Sequence, residues 1–206
     1  MTVKRPGLMT LAAAAAITVG LATPALAAER SDVLRPINCD GGDIPCVDVG
    51  DSRLLRSDEG LVATLSTSRL RKSHAYSLWW VFFETPEACT DGTCGVDDLE
   101  NTEAGVTAIW ASGIVAGDFG SGRGASGHFT AVLNQSELPQ DSDIVLKDAD
   151  VLLVVRSQGR LQKVIVGDQI TSYDAGCDVE VTPAVPKKRG ECGNVQFAVH
   201  SAPPPE

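Results

Sequence analysis

The sequence predicts an all-β domain stapled by disulfides, folded as a β-sandwich or a barrel-like closed sheet with at most one or two short helical turns. Three observations carry this. Short runs rich in β-branched and aromatic residues recur along the chain, each bounded by Gly, Asp, Ser or Pro. The strongest run, residues 75–83, is apolar on both alternating faces. The six cysteines form an even set, and adjacent ones bracket turn-rich stretches.

Residues 1–27 read as a secretory signal peptide. Lys4 and Arg5 give a positive start, residues 8–22 form an apolar run, and Pro24 precedes Ala25-Leu26-Ala27, which puts small residues where a signal peptidase cuts. The run is shorter than the roughly 20 apolar residues of a membrane-spanning helix and ends in a helix breaker, so an anchor is disfavoured. No other long apolar stretch follows, and no span is expected in the mature protein. The expected location is exported, either periplasmic or extracellular. A single domain is expected over residues 28–201, with a disordered Pro-rich tail at 202–206.

The chain carries 17 basic and 27 acidic residues. Only Lys4 and Arg5 fall in the leader, leaving 15 basic against 27 acidic residues and a mature net charge of −12. Such a chain repels nucleic acid and anionic membrane surfaces. Lys187-Lys188-Arg189, between Pro186 and Gly190, is a short basic run in a loop and reads as solvated.

Exported cysteines in even number read as disulfides. Spacing suggests Cys39 with Cys46, Cys89 with Cys94, and Cys177 with Cys192, each pinning a loop of small core content. No C-x-x-C and no paired Cys/His ligand set is present, which disfavours redox or zinc chemistry at these thiols.

In chain order, residues 28–46 read as irregular, since Pro36, Gly41, Gly42 and Pro45 interrupt a polar stretch. Strands are expected at 61–65, 75–83, 107–116, 126–133, 151–155 and 195–199. Residues 96–103 and 134–138 suit a helical turn, and residues 164–170 a strand or a short helix. In the 75–83 strand, Ser77, Trp79, Val81 and Phe83 share one face, and Tyr76, Leu78, Trp80 and Phe82 the other. One face should enter the core. The other should be covered, first of all by the loop that holds Cys89 and Cys94. An uncovered Trp80 would instead mark a binding surface, with Trp79 and Tyr76 beside it, and would favour a homodimer or a protein partner. Strand 151–155 is apolar on both faces and should be a neighbour. The glycine-rich residues 117–124 link two strands, so they read as a hairpin loop and not as a phosphate cradle, which needs a following helix.

Candidates for chemistry are sparse. His74 follows a polar turn, His128 lies on the polar side of its strand, and His200 follows the last strand. Imidazoles meeting across strands would suit copper or zinc. Loop acids, Asp97 and Asp98 among them, would suit calcium, although their spacing matches no calcium-loop motif. The near-elbows around Ser121 and Ser126 lack the strand-to-helix setting of a serine nucleophile. Glu84, at the end of the aromatic strand, is the single carboxylate nominated for a hydrolase, and its plainer reading is a surface residue.

The 75–83 stretch followed by Pro86, Cys89, Cys94-Gly95 and Asp98-Leu99, together with residues 150–156 and Gln169-Ile170-Thr171 ahead of Gly176-Cys177, resembles a family of exported bacterial β-rich proteins. The resemblance spans roughly residues 61–177. It implies a signal peptide, one β-rich domain and disulfides, and it implies no activity and no functional residue.

The leading expectation is an exported, non-catalytic binding or structural module with no cofactor. A metal-binding protein is the alternative, and a secreted hydrolase the second alternative.

Overall fold

The computed structural model describes residues 29–35, 47–90, 94–117, 124–177, 179–180 and 190–203. Residues 1–27, expected to be a signal peptide, and the expected Cys39–Cys46 pair lie outside the described residues, as does most of the glycine-rich loop. Among the described residues the chain forms strands β1 (Glu29–Arg35), β2 (Val47–Arg56), β3 (Gly60–Leu70), β4 (His74–Phe83), β5 (Val106–Val115), β6 (Ala125–Asn134), β7 (Val151–Arg160), β8 (Val179–Glu180) and β9 (Glu191–His200), with one short α-helix, α1 (Val166–Thr171), and single 3-10 turns at Pro86–Ala88, Val96–Asp98, Gln135–Glu137 and Leu146–Asp148. Eight strands make a single antiparallel sheet in the order β5-β4-β7-β9-β1-β2-β3-β6, and β8 adds a short parallel pairing to β9. The sheet curls until β5 and β6 approach each other, so the barrel-like form of the expected fold is the one adopted.

Alternation fills the barrel. Tyr76, Leu78, Trp80 and Phe82 of β4 point inward with Val151, Leu153 and Val155 of β7, meeting Leu61, Ala63 and Leu65 of β3 and Phe129, Ala131 and Leu133 of β6. The register sets Trp80 opposite Leu153 and Ile109. The segment between β6 and β7 contributes Leu138, Ile144 and Leu146 to the same core and so closes one end.

The opposite face of β4, β7 and β9 is also apolar, and it is covered in two halves. Val81, Phe83, Leu152, Val154 and Phe197 pack beneath Cys89, Cys94 and Ala104 of the loop after β4, the cover expected from sequence. The Cys89–Cys94 disulfide ties that loop. Within it, Asp98 is buried and accepts from Thr90 N–H and Oγ1 and from Gly95 N–H at 2.8–2.9 Å, so its carboxylate organises the loop backbone.

The second half is covered by residues 161–177, held by the Cys177–Cys192 disulfide. Here the packing is polar. Arg156 is fully buried, its guanidinium 3.8 Å from the centre of the Tyr173 ring and its Nε donating to Tyr173 O at 2.8 Å. Tyr173 in turn meets Trp79 edge-on. Buried Gln169 donates to Gln158 O and accepts from Gln162 N–H. α1 lies so close to β5 that a Cβ on Gly113 would fall 2.2 Å from Ile170 O, and Trp110 Nε1 donates to that same carbonyl at 2.8 Å. Only glycine fits at this crossing.

One expectation changes. Residues 29–35, read as irregular, form β1 between β2 and β9. Strand β2 carries no strong apolar signal because its inward residues include Ser52 and Arg56. Ala202, expected in the tail, donates its N–H to Asp150 Oδ1 at 2.6 Å. Among the described residues, no helix is long and apolar enough to cross a membrane.

Candidate functional site

The densest polar cluster sits at the barrel end where β1 begins and β2 and β9 finish. Inward alternation on β2 brings Ser52 and Arg56 to the interior, and β9 delivers His200 there as its last residue. Ser52 Oγ lies 2.7 Å from His200 Nε2. His200 Nδ1 lies 3.8 Å from Glu29 Oε2. Glu29 Oε1 accepts from Arg56 Nε at 2.7 Å. Arg56 then donates to the carbonyls of Leu146, Ala149 and Ser201, among others, and so fastens the closing segment and the end of β9 to the barrel. A shallow concavity of about 430 Å³ opens beside it, between Glu29–Arg30 and residues 199–203.

A serine, a histidine and a carboxylate in this order invite comparison with a nucleophile–base–acid relay. The geometry departs from it at two points. At 3.8 Å the histidine and Glu29 are beyond hydrogen-bond reach, and Glu29 is engaged by Arg56. Ser52 is wholly buried, 0% exposed, so its hydroxyl does not reach the concavity. The arrangement satisfies buried polar groups with one another and fixes the end of the barrel.

Burial pushes the His200 imidazole down to about 4, helped by the Arg56 cation and opposed by Glu29. His74 is held below its ordinary range in the same direction, first by burial and then by Arg71 and Arg160, against the hydrogen bond to Lys72 O. Both folded-state values lie below those of the unfolded chain, so the unfolded state binds more protons between them. Stability contributed by neutral His200 is therefore complete above about pH 6.5 and is lost as pH falls toward 4. Urea unfolding at pH 7 and pH 4.5 is expected to give a lower midpoint in acid, and His200→Asn to flatten that difference.

The sequence-derived candidates are dispersed. Tyr76 and Trp80 are 1% and 0% exposed in the barrel core, so they form no surface, and Trp79 is part-buried under Tyr173. The binding surface that an uncovered Trp80 would have made is therefore absent, because that face turns inward. His74, expected in a solvated turn, is buried at the start of β4. His128 lies exposed on β6 with Nδ1 3.0 Å from Ser66 Oγ. Asp97 is exposed, Asp98 is committed to its loop, and Glu84 is an exposed acceptor for Thr107. Among the described residues, no three His, Cys, Asp or Glu side chains converge as metal ligands. Sequence reasoning missed Ser52, Arg56, Glu29 and Arg156. Alternation places Glu29, Ser52 and Arg56 inward only once β1 and β2 are known to be strands, and Arg156 stands on the outer face of β7, where residues 161–177 cover it.

Comparison with known proteins returned no matching family model, no matching curated protein and no matching solved structure.

Proposed function

We propose that this chain is an exported, non-catalytic binding or structural module. The observation that carries the reading is the sealed state of the serine–histidine–carboxylate cluster: Ser52 is buried and His200 is out of hydrogen-bond reach of Glu29. The barrel interior is filled by Trp80, Phe82, Phe129 and their neighbours, so recognition falls to the outer surface. Two disulfides pin the covering loops, and bonds of this kind persist in an oxidising compartment, which supports export. The leader-like residues 1–27 and the resemblance to exported bacterial β-rich proteins support the same reading.

A serine-reactive fluorophosphonate probe, with ester and peptide substrates alongside, tests the non-catalytic part. No labelling and no turnover are expected. Labelling that disappears in Ser52→Ala would make the chain a hydrolase.

A further inference from the structure

The opposite end of the barrel, around the turn between β3 and β4, has a different character. His74 opens β4 and faces Arg160 at the end of β7 in the strand register. Its Nδ1 lies 2.9 Å from Lys72 O. A carbonyl can only accept, so Nδ1 carries the proton and Nε2 of the neutral ring is left with a lone pair. That Nε2 is buried and has no hydrogen-bond partner, on a residue only 8% exposed. A buried, unsatisfied acceptor is costly and calls for a reason.

The surroundings are cationic although the chain is acidic overall. Arg71 from the turn and Arg160 from β7 act on His74, while β5, on the other side of β4, brings Val115 and Ala116 to this level and β9 starts with Glu191 beside Gly159. The guanidinium groups of Arg71 and Arg160 make no ion pair and no hydrogen bond among the described residues. The turn also holds Arg69 and Ser73 in left-handed backbone, at φ 60° and 56°, a conformation that L-residues rarely adopt. The net charge of the molecule opposes an approaching anion at long range, but that field is screened beyond about 10 Å at ordinary ionic strength. At contact, the local cations dominate.

We propose that this end of the barrel is an oxyanion site, in which Arg71 and Arg160 hold a phosphate, sulfate or carboxylate group and His74 takes up a proton at its buried Nε2 as the anion binds. Guanidinium forks match the planar edges of such groups. The anion offsets the two positive charges that oppose protonation of His74, so binding and proton uptake reinforce each other. The inference rests on the binding-module reading and names the ligand class of that module.

The test follows the His74 ring nitrogens by NMR in full-length mature protein at pH 6. One arm is titrated with inorganic phosphate and the other with an acidic polysaccharide, against chloride at matched ionic strength. A saturable conversion of Nε2 from bare to protonated is expected. Response to phosphate identifies a free oxyanion, and response to the polysaccharide alone identifies one carried on a polymer. Arg71→Gln and Arg160→Gln should each weaken binding roughly tenfold or more, as loss of a charge-assisted hydrogen bond does. Both are surface changes that leave the core intact. His74→Gln should bind without proton uptake. An unchanged His74 in both arms overturns the oxyanion site. The module reading then stands or falls separately on whether Ser52 is labelled.

Discussion

Replacing Arg56 with alanine is expected to lower the stability of the protein by about 3–5 kcal/mol, as part-buried carbonyls each lose a charged donor at about 1–3 kcal/mol and partly exposed Glu29 loses its cation. The side chain is 8% exposed and its guanidinium meets Glu29 and several main-chain carbonyls from two separate segments. Those carbonyls belong to the stretch that closes the barrel and to the residues after β9. Without the guanidinium the part-buried carbonyls of Leu146 and Ala149 lose a donor. The same loss leaves Glu29 without its cation and facing a neutral His200. Arg56→Lys should recover little, because an ammonium has three donors and no planar fork to span both segments. Guanidinium chloride unfolding of the wild type and both variants measures this. An alanine variant with an unchanged midpoint would mean that Leu138, Ile144 and Leu146 hold the closing segment by apolar packing alone.

Trp80→Ala is expected to cost a similar amount, about 3–5 kcal/mol, through the cavity it opens at the centre of the barrel. Trp80 is the largest fully buried side chain and lies near-parallel to Phe82 with ring centres 6.5 Å apart. Its Nε1–H is buried and has no acceptor. Two effects therefore oppose each other in Trp80→Phe. The smaller ring gives up volume, and the change also removes a donor whose burial costs about 1–3 kcal/mol. The phenylalanine variant should fall within about 1 kcal/mol of wild type, since the two terms are of similar size. Equal, large losses in both variants would mean that the indole N–H is satisfied in solution. Against a typical domain stability of about 5–15 kcal/mol, the alanine change removes a large share of what holds the fold.

Much of the barrel was legible because its central strands are apolar on both sides. Residues 74–83 and 151–160 are flanked by the interior on one face and by covering loops on the other, and their composition announced both. The pairing of Cys89 with Cys94 and of Cys177 with Cys192 was legible from spacing, since each closes a short loop. Strands β1 and β2 were hidden for a physical reason. Val33 and Val49 are buried, but Ser52, Arg56 and Glu29 stand where apolar residues would have given a period of two. The cluster at the end of the barrel was hidden with them. Its members are far apart in sequence, 148 residues in the case of Ser52 and His200, and they meet only because β1 inserts between β2 and β9. The aromatic binding surface failed for the opposite reason: Tyr76 and Trp80 are conspicuous in sequence because they build the core.

The chain is proposed to be an exported domain whose loops are closed by disulfides. Intact-mass measurement on protein expressed with residues 1–27 in place tests that proposal most directly, before and after reduction under denaturing conditions. A chain that begins near Ala28 and gains six hydrogens on reduction, one for each cysteine, is expected. A mass that retains Met1 and the leader, unchanged by reduction, would contradict it.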